Sequence, residues 1–328
     1  MMTKLTPAMD DERGIAYPLV AVPVSSPLEK PMTNLRPIVV GVDFSPSSRI
    51  ALSQAVRLGA AMQVPVKAIH VIEVFAAVPL TDDLSVFQLE ITGSLIDEAK
   101  HLWKSLAEQA GAGDVPIHIE MNSPVAAIAY FCQQQNAQLL VVGTRGTAGS
   151  KGAGTVAASC VRRSPCDVVL MEEAYGPKKF ENVLACVDFS STSKRAVAQA
   201  LRVAALDGAK VHVAYVFNPP WGKVKPKAGS PEATDAFRTA YASALTDRVR
   251  AFCEDGQQAE ATWAKPTYHA IPADKHGKGI ADFAKVLGAD LIVLGTRGAS
   301  NLHDMVLGST AEHVIRDAGR NVWAVRPT

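Results

Sequence analysis

From Pro37 onward, short continuous apolar runs alternate with stretches of helical spacing. Residues 38–42 (IVVGV) are β-branched and apolar on both faces, as a buried parallel strand requires. Residues 45–58 then place Ile50, Ala51, Ala55 and Leu58 at helical intervals, with Pro46 suited to a first turn. The same reading predicts strands at 68–74, 117–120, 139–142 and 168–171. Helices are predicted at 97–109 (Leu102, Trp103 and Leu106 on one side), 125–134 and 155–163. A second round predicts strands at 182–187, 211–217, 260–264, 291–294 and 322–325, with helices at 191–206, 235–254, 278–287 and 309–318. Strands alternating with helices imply an α/β fold of parallel sheets, helices on both faces, joined by right-handed crossovers.

The two rounds are copies of one unit. Residues 38–45 read IVVGVDFS and 183–190 read VLACVDFS; 139–146 read LLVVGTRG and 291–298 read LIVLGTRG. Asp43 lies 100 residues before Gly143, and Asp188 lies 107 before Gly295. Ordered landmarks at matched spacing indicate a tandem duplication of a unit of about 145 residues, the size of one domain. The expected organisation is an extension at 1–35, a first domain at 36–176 and a second at 177–328. The extension holds five prolines and no periodicity beyond LVAVPV at 19–24, which suggests a segment that is flexible or laid on the surface.

Composition narrows the function classes. The chain has 328 residues, 48% hydrophobic and 20% charged, with a net charge of +1. A reader of phosphate backbones needs a basic face, so nucleic acid is not an expected partner. No run of eighteen apolar residues supports a membrane span. The acidic cluster Asp10, Asp11, Glu12 with Arg13 replaces the apolar core of a signal peptide. Five cysteines without a C-x-x-C pair argue against a disulfide framework or zinc site and fit a reducing cytoplasm. The eight histidines show no metal-ligand spacing.

Both signature motifs fall at carboxyl ends of predicted strands, where open α/β sheets bind ligands. Glycines there let backbone approach a ligand and free amides at a helix N-terminus for phosphate. Asp43 and Asp188 are open to two roles, capping the next helix or touching a ligand. Arg145 and Arg297 either meet phosphate or remain solvated. No Walker loop is present, because Lys151 follows Ser150 and Gly277-Lys278 is followed by Gly279. Trp221, in NPPWGKVKPK, reads as part of a mobile loop whose indole could stack on a base. No nucleophile-plus-base constellation stands out; His303 and Asp304 are the nearest candidates for base or metal work.

Gly295-Thr-Arg-Gly298, nine residues, then Gly308-Ser309-Thr310 opening a helix, with VDFS after the first strand, resembles the universal stress protein family. The resemblance covers residues 37–328 as two consecutive family domains. It implies Rossmann-like or flavodoxin-like domains, each a five-stranded parallel sheet, and an ATP-binding subgroup. Carried over, the binding residues of copy two are Asp188, Val216, Gly295, Gly298, Gly308, Ser309 and Thr310. Those of copy one are Asp43, Val71, Gly143, Gly146, Gly154, Thr155 and Val156. The implied ligand is ATP (or ADP or AMP), with Mg2+ or Mn2+ as a possible companion, in a cytoplasmic stress sensor or regulator. Alternatives are a weak ATPase or adenylate-handling enzyme, or an interaction module that binds no nucleotide.

Two departures from the family pattern carry expectations. Only seven residues separate Gly146 from Gly154, which predicts an empty copy-one site or a shorter ligand there. Residues 265–277 read as an insertion near the mouth of copy two, with Tyr268, His269, Lys275 and His276 as candidate contributors. The apolar last strands imply an internal pseudo-dimer, 168–171 antiparallel to 322–325, with a homodimer through other faces also possible.

Overall fold

The computed structural model describes residues 35–73, 82–145, 154–222, 230–231, 234–255, 265–298 and 307–327, with backbone alone for 82–90. The extension at 1–34, Gly146, the glycine-rich loop 147–153 and the candidates His303 and Asp304 lie outside the described residues.

Copy one runs β1 (Ile38–Val42), α1 (Pro46–Met62), β2 (Val66–Ile72), α2 (Asp82–Gln109), β3 (Ile117–Met121), α3 (Pro124–Gln134), β4 (Leu139–Gly143), α4 (Thr155–Arg163) and β5 (Asp167–Met171). Copy two runs β6 (Asn182–Val187), α5 (Ser191–Asp207), β7 (Lys210–Phe217), α6 (Asp235–Glu254), β8 (Thr267–Pro272), α7 (His276–Leu287), β9 (Leu291–Gly295), α8 (Ser309–Asp317) and β10 (Asn321–Val325). Within each copy the strands pair in parallel in the order 3-2-1-4-5. This is a doubly wound sheet whose order reverses between its first and fourth strands.

The strands are apolar on both faces because helices cover both. Ile38 and Val40 face α1 and α2, joined in one continuous core by Val183 and Ala185 under α5 and α6. Val39 and Ile69 face α3 and α4, in a second core shared with Ile292 and Leu294 under α7 and α8. The copies join edge to edge. β10 pairs with β5 antiparallel, giving one ten-stranded sheet in the order β3-β2-β1-β4-β5-β10-β9-β6-β7-β8. Arg57 on α1 adds a two-pronged contact to the buried Asp207 at the end of α5, at 2.6 and 3.0 Å.

Two sequence expectations are corrected. The third strand of copy two is β8, Thr267–Pro272, which pairs with β7 from His212↔Thr267 to Phe217↔Pro272; the strand expected at 260–264 lies outside the described residues. Residues 265–277 are therefore no insertion. They hold that strand and a turn at 273–275, matching the turn at 122–123 in copy one. The helix expected at 97–109 begins at Asp82. Its added turns carry exposed Ile91 and Leu95; of the predicted apolar face Leu102 is exposed, while Leu106 is buried in the core and Trp103 packs against it.

Candidate functional site

Each copy begins its site with the turn Asp-Phe-Ser. The Phe residues take left-handed backbone, φ 60° at Phe44 and 63° at Phe189. That conformation costs a residue with a Cβ roughly 1–2 kcal/mol. Packing holds it: Phe44 sits 4.4 Å from the His70 ring, and Phe189 packs on Tyr215 and Phe252 with Arg248 over its face at 4.6 Å. Strain of this kind gathers at functional sites, yet nothing in the composition of the turn announced it.

Of the two roles that the sequence left open for the aspartates, helix capping falls to their neighbouring serines. The helix caps are Ser45 and Ser190, whose hydroxyls accept from the amides of Ser48 and Ser193 at 3.1 Å. Asp43 and Asp188 instead stand before the helices. One carboxylate oxygen of each accepts from the following serine's amide (3.0 Å) and hydroxyl (2.5 Å). The second oxygen of Asp188 lies where it would be 2.8 Å from a Cβ added at Gly298, so glycine there admits the carboxylate.

The glycines have different jobs. A Cβ on Gly143 would lie 2.8 Å from the Ser47 carbonyl carbon, and one on Gly295 would lie 2.9 Å from Thr192 Cγ2. The first motif glycine thus lets its strand end close on the first turn of α1 or α5. Gly154 and Gly308 are the N-cap residues of α4 and α8, and neither helix has a side-chain cap. Each is anchored through its amide, to Thr144 O at 2.6 Å and to Thr296 O at 2.9 Å. An uncapped helix N-terminus offers free amide donors and the positive end of the helix dipole.

These parts enclose two cavities at the carboxyl ends of the strands. The copy-two cavity, about 340 Å³, is lined by Asp188, Val216, Gly295, Gly298, Gly308, Ser309 and Thr310 together with Cys186, His276, Ile280 and Arg297. The copy-one cavity, about 470 Å³, is lined by Asp43, Val71, Gly143, Gly154, Thr155 and Val156 together with Glu73, Ile128 and Arg145. All thirteen sequence candidates among the described residues border one cavity or the other, at sizes typical of small-molecule sites.

The structure also reassigns several residues. Of the four candidates in 265–277, His276 lines the cavity. Tyr268 packs on the core, and His269 Nε2 lies 3.1 Å from His212 Nδ1. Trp221 is part of an aromatic cluster with Phe217, Phe237 and Tyr241, and Arg238 stacks over it. Arg145 pairs with the buried Glu172 at 3.0 Å. Gly277 and Gly279 serve packing: a Cβ on the former would strike His313 of α8, and one on the latter Val216 of β7. Burial pushes the Cys186 thiol up to about 12, so it lines the cavity as an inert apolar group. Among the described residues no group of three or more His, Cys, Asp or Glu could hold a metal ion. No described helix is long and apolar enough to cross a membrane.

Twice over, then, this is a doubly wound α/β domain with a ligand-sized cavity at the switch point of its sheet. The chain belongs to the universal stress protein family, whose family model matches residues 34–171 and 179–326. It is similar to a universal stress protein of Mycobacterium tuberculosis, 26% identical over 300 residues, 88% of this chain and 96% of that protein. A shorter relative from Methanocaldococcus jannaschii is 30% identical over 151 residues, 46% of this chain and 85% of that protein. In fold it matches the crystal structure of a universal stress protein from Archaeoglobus fulgidus at 20% identity and a TM-score of 0.59, covering 90% of this chain and 99% of that one.

Proposed function

We propose that this protein is a cytoplasmic stress-response sensor or regulator that binds an adenine nucleotide, ATP in the first place, in the copy-two cavity. One observation carries the reading: the uncapped N-terminus of α8 opens into the cavity that Asp188 borders from the opposite strand. Free amides of Ser309 and Thr310 with the helix dipole suit a phosphate chain. The Asp188 carboxylate suits hydroxyl groups of a ribose, and Val216 with Ile280 and Cys186 supplies apolar surface for a base.

With Asp188 the one carboxylate among the described lining residues, a divalent cation such as Mg2+ or Mn2+ would arrive on the nucleotide's phosphates, its usual mode of binding. In this reading the protein holds and reports the nucleotide, and its partner surfaces include its own second copy.

The test is mass spectrometry of nucleotide released from denatured, purified protein, before and after incubation. Intact adenine nucleotide supports the reading. Conversion to diphosphate on incubation would favour a slow ATPase, and absence of nucleotide with no ATP binding on titration would favour an interaction module.

A further inference from the structure

Three free cysteines of copy one, Cys132 on α3, Cys160 on α4 and Cys166 at the entry to β5, are buried in one core. The Cys132 thiol hydrogen-bonds to Cys166. Ser164 Oγ accepts from the Cys166 amide at 3.3 Å and lies 3.3 Å from Cys166 Sγ, so its own proton is available to the sulfur. The hydrogen bond from Cys132 is the largest influence on the Cys166 thiol and holds it below its ordinary value. Ser164 and the Arg36 guanidinium add to that effect, against burial and Asp167. The same contact and burial push the Cys132 thiol up, and burial pushes Cys160 up to about 12. One sulfur of the cluster therefore has thiolate character, and the sulfur touching it keeps its proton. A reactive thiol beside a resolving thiol has this division of roles.

The duplication shows that the fold itself does not need these thiols. Ile128 and Ile280 hold the same place on α3 and α7, each bordering its cavity, so Cys132 corresponds to Ala284. Thr155 and Ser309 begin α4 and α8, which matches Cys160 to Val314. Asp167 and Asn321 open β5 and β10, which matches Cys166 to Arg320 and Ser164 to Ala318. Copy two thus fills the same core with Ala284, Val314 and Ala318, all buried, and has neither the thiols nor the hydroxyl. Within the copy-one cluster Cys166 is the least covered, 5% exposed against 0% for Cys132, and it directly follows the exposed Pro165. A small oxidant entering through local opening of that turn meets Cys166 before Cys132.

We propose that Cys166 and Cys132 form a reversible oxidation site, which a hydroperoxide converts into a disulfide fastening α3 to the start of β5. The inference stands apart from the nucleotide reading. In the first step the Cys166 sulfur attacks one peroxide oxygen and the O–O bond breaks. The departing hydroxide takes up the proton that Cys166 gave away and leaves as water, and Cys166 becomes a sulfenic acid. In the second step the Cys132 sulfur attacks the Cys166 sulfur and the S–O bond breaks. The proton of Cys132 leaves with that hydroxide as a second water, and the S–S bond is formed. The peroxide is reduced by the two electrons that the thiols lose, and a thiol reductant returns them. The link joins positions 132 and 166 and so restricts the unfolded chain between them.

The experiment exposes the reduced full chain to hydrogen peroxide under native conditions, alkylates the remaining thiols in denaturant and maps the peptides by mass spectrometry without reduction. The expected product is a Cys132–Cys166 cross-link with Cys160, Cys186 and Cys253 alkylated, reversed by dithiothreitol. The oxidised chain should unfold at a higher urea midpoint than the reduced chain. Cys132→Ala, which installs the residue of copy two, should abolish the cross-link and leave Cys166 as a sulfenic acid that dimedone captures. Ser164→Ala should slow formation of the link, and Cys160→Ala should leave it intact. The peptide map of the parent decides even if a variant misfolds. Cys132 and Cys166 both alkylated after peroxide treatment, a link through Cys160 instead, Cys166 carried to a sulfinic acid with Cys132 free, or a link that forms only after denaturation would each overturn the proposal.

Discussion

Trp323 of β10 lies directly opposite Val169 of β5, and each is the other's counterpart in the duplication. The flanking pairs Val322↔Leu170 and Ala324↔Val168 complete a self-complementary seam, so a local two-fold axis passes between Trp323 and Val169. The same symmetry recurs in hydrogen bonds that cross the seam: Glu172 N donates to Asn321 Oδ1 at 2.8 Å, and Arg326 N donates to Asp167 Oδ1 at 3.0 Å. Pairing buries two apolar edges that would otherwise invite aggregation.

A charge placed on that axis has no partner. Val169→Asp, combined with Val325→Pro to break the β10 ladder, is expected to separate the copies while each keeps its secondary structure. Small-angle scattering should show a larger radius of gyration with an unchanged far-ultraviolet circular dichroism spectrum. A double variant as compact as the parent would mean that the helices, not the seam, hold the copies together.

The duplication also exposes a local strain. Residue 63 ends α1 in left-handed backbone (φ 55°) as glutamine, whereas the equivalent end of α5 carries Gly208 at φ 74°. Replacing Gln63 by glycine removes a steric cost that outweighs the added freedom of the unfolded chain. We expect a gain of about 1 kcal/mol, read as a higher midpoint in urea. A lower midpoint would show that the Gln63 side chain contributes more than its backbone costs.

Gly298→Ala probes the Asp188 carboxylate. The new methyl would lie 2.8 Å from Asp188 Oδ2, so the carboxylate must move. Nucleotide affinity should fall about tenfold, equivalent to about 1.4 kcal/mol, with little change in melting temperature. Unchanged affinity would take Asp188 out of the binding site.

His212 and His269 give stability a pH dependence of known sign. Burial lowers both pKa values, with Lys210 adding to the effect on His212 and His212 to that on His269. Below their ordinary value near 6.5, the unfolded chain therefore takes up protons that the folded chain refuses. Stability should fall as pH drops from about 7 to about 5 across that ordinary value, and His269→Gln should flatten the slope. Denaturant unfolding at the two pH values checks this; an identical slope in parent and variant would contradict it.

Much of this was legible in the chain. Buried strands such as β1 and β9 announce themselves as unbroken apolar runs, and the repeated VDFS and GTRG landmarks place the site at the strand ends. What escaped was decided by contacts distant in sequence. The position of β8 depends on pairing with β7, which the TYHAI run does not encode. The partner of Arg145 is a glutamate 27 residues away, brought back by β5. The close approach of Gly143 to Ser47 joins segments that only the sheet brings together.

The most direct measurement is ATP binding by calorimetry to the parent chain and to Gly308→Val. Gly308 has ordinary extended backbone (φ −62°, ψ 140°), and among the described residues an added Cβ meets only Thr296 O at 3.5 Å and Gly298 N at 3.9 Å. The protein itself can therefore accept a side chain there, but a phosphate chain seated on the α8 amides cannot. The account predicts a folded variant with ATP affinity at that site reduced at least about tenfold. A folded Gly308→Val variant that binds ATP as tightly as the parent would contradict it.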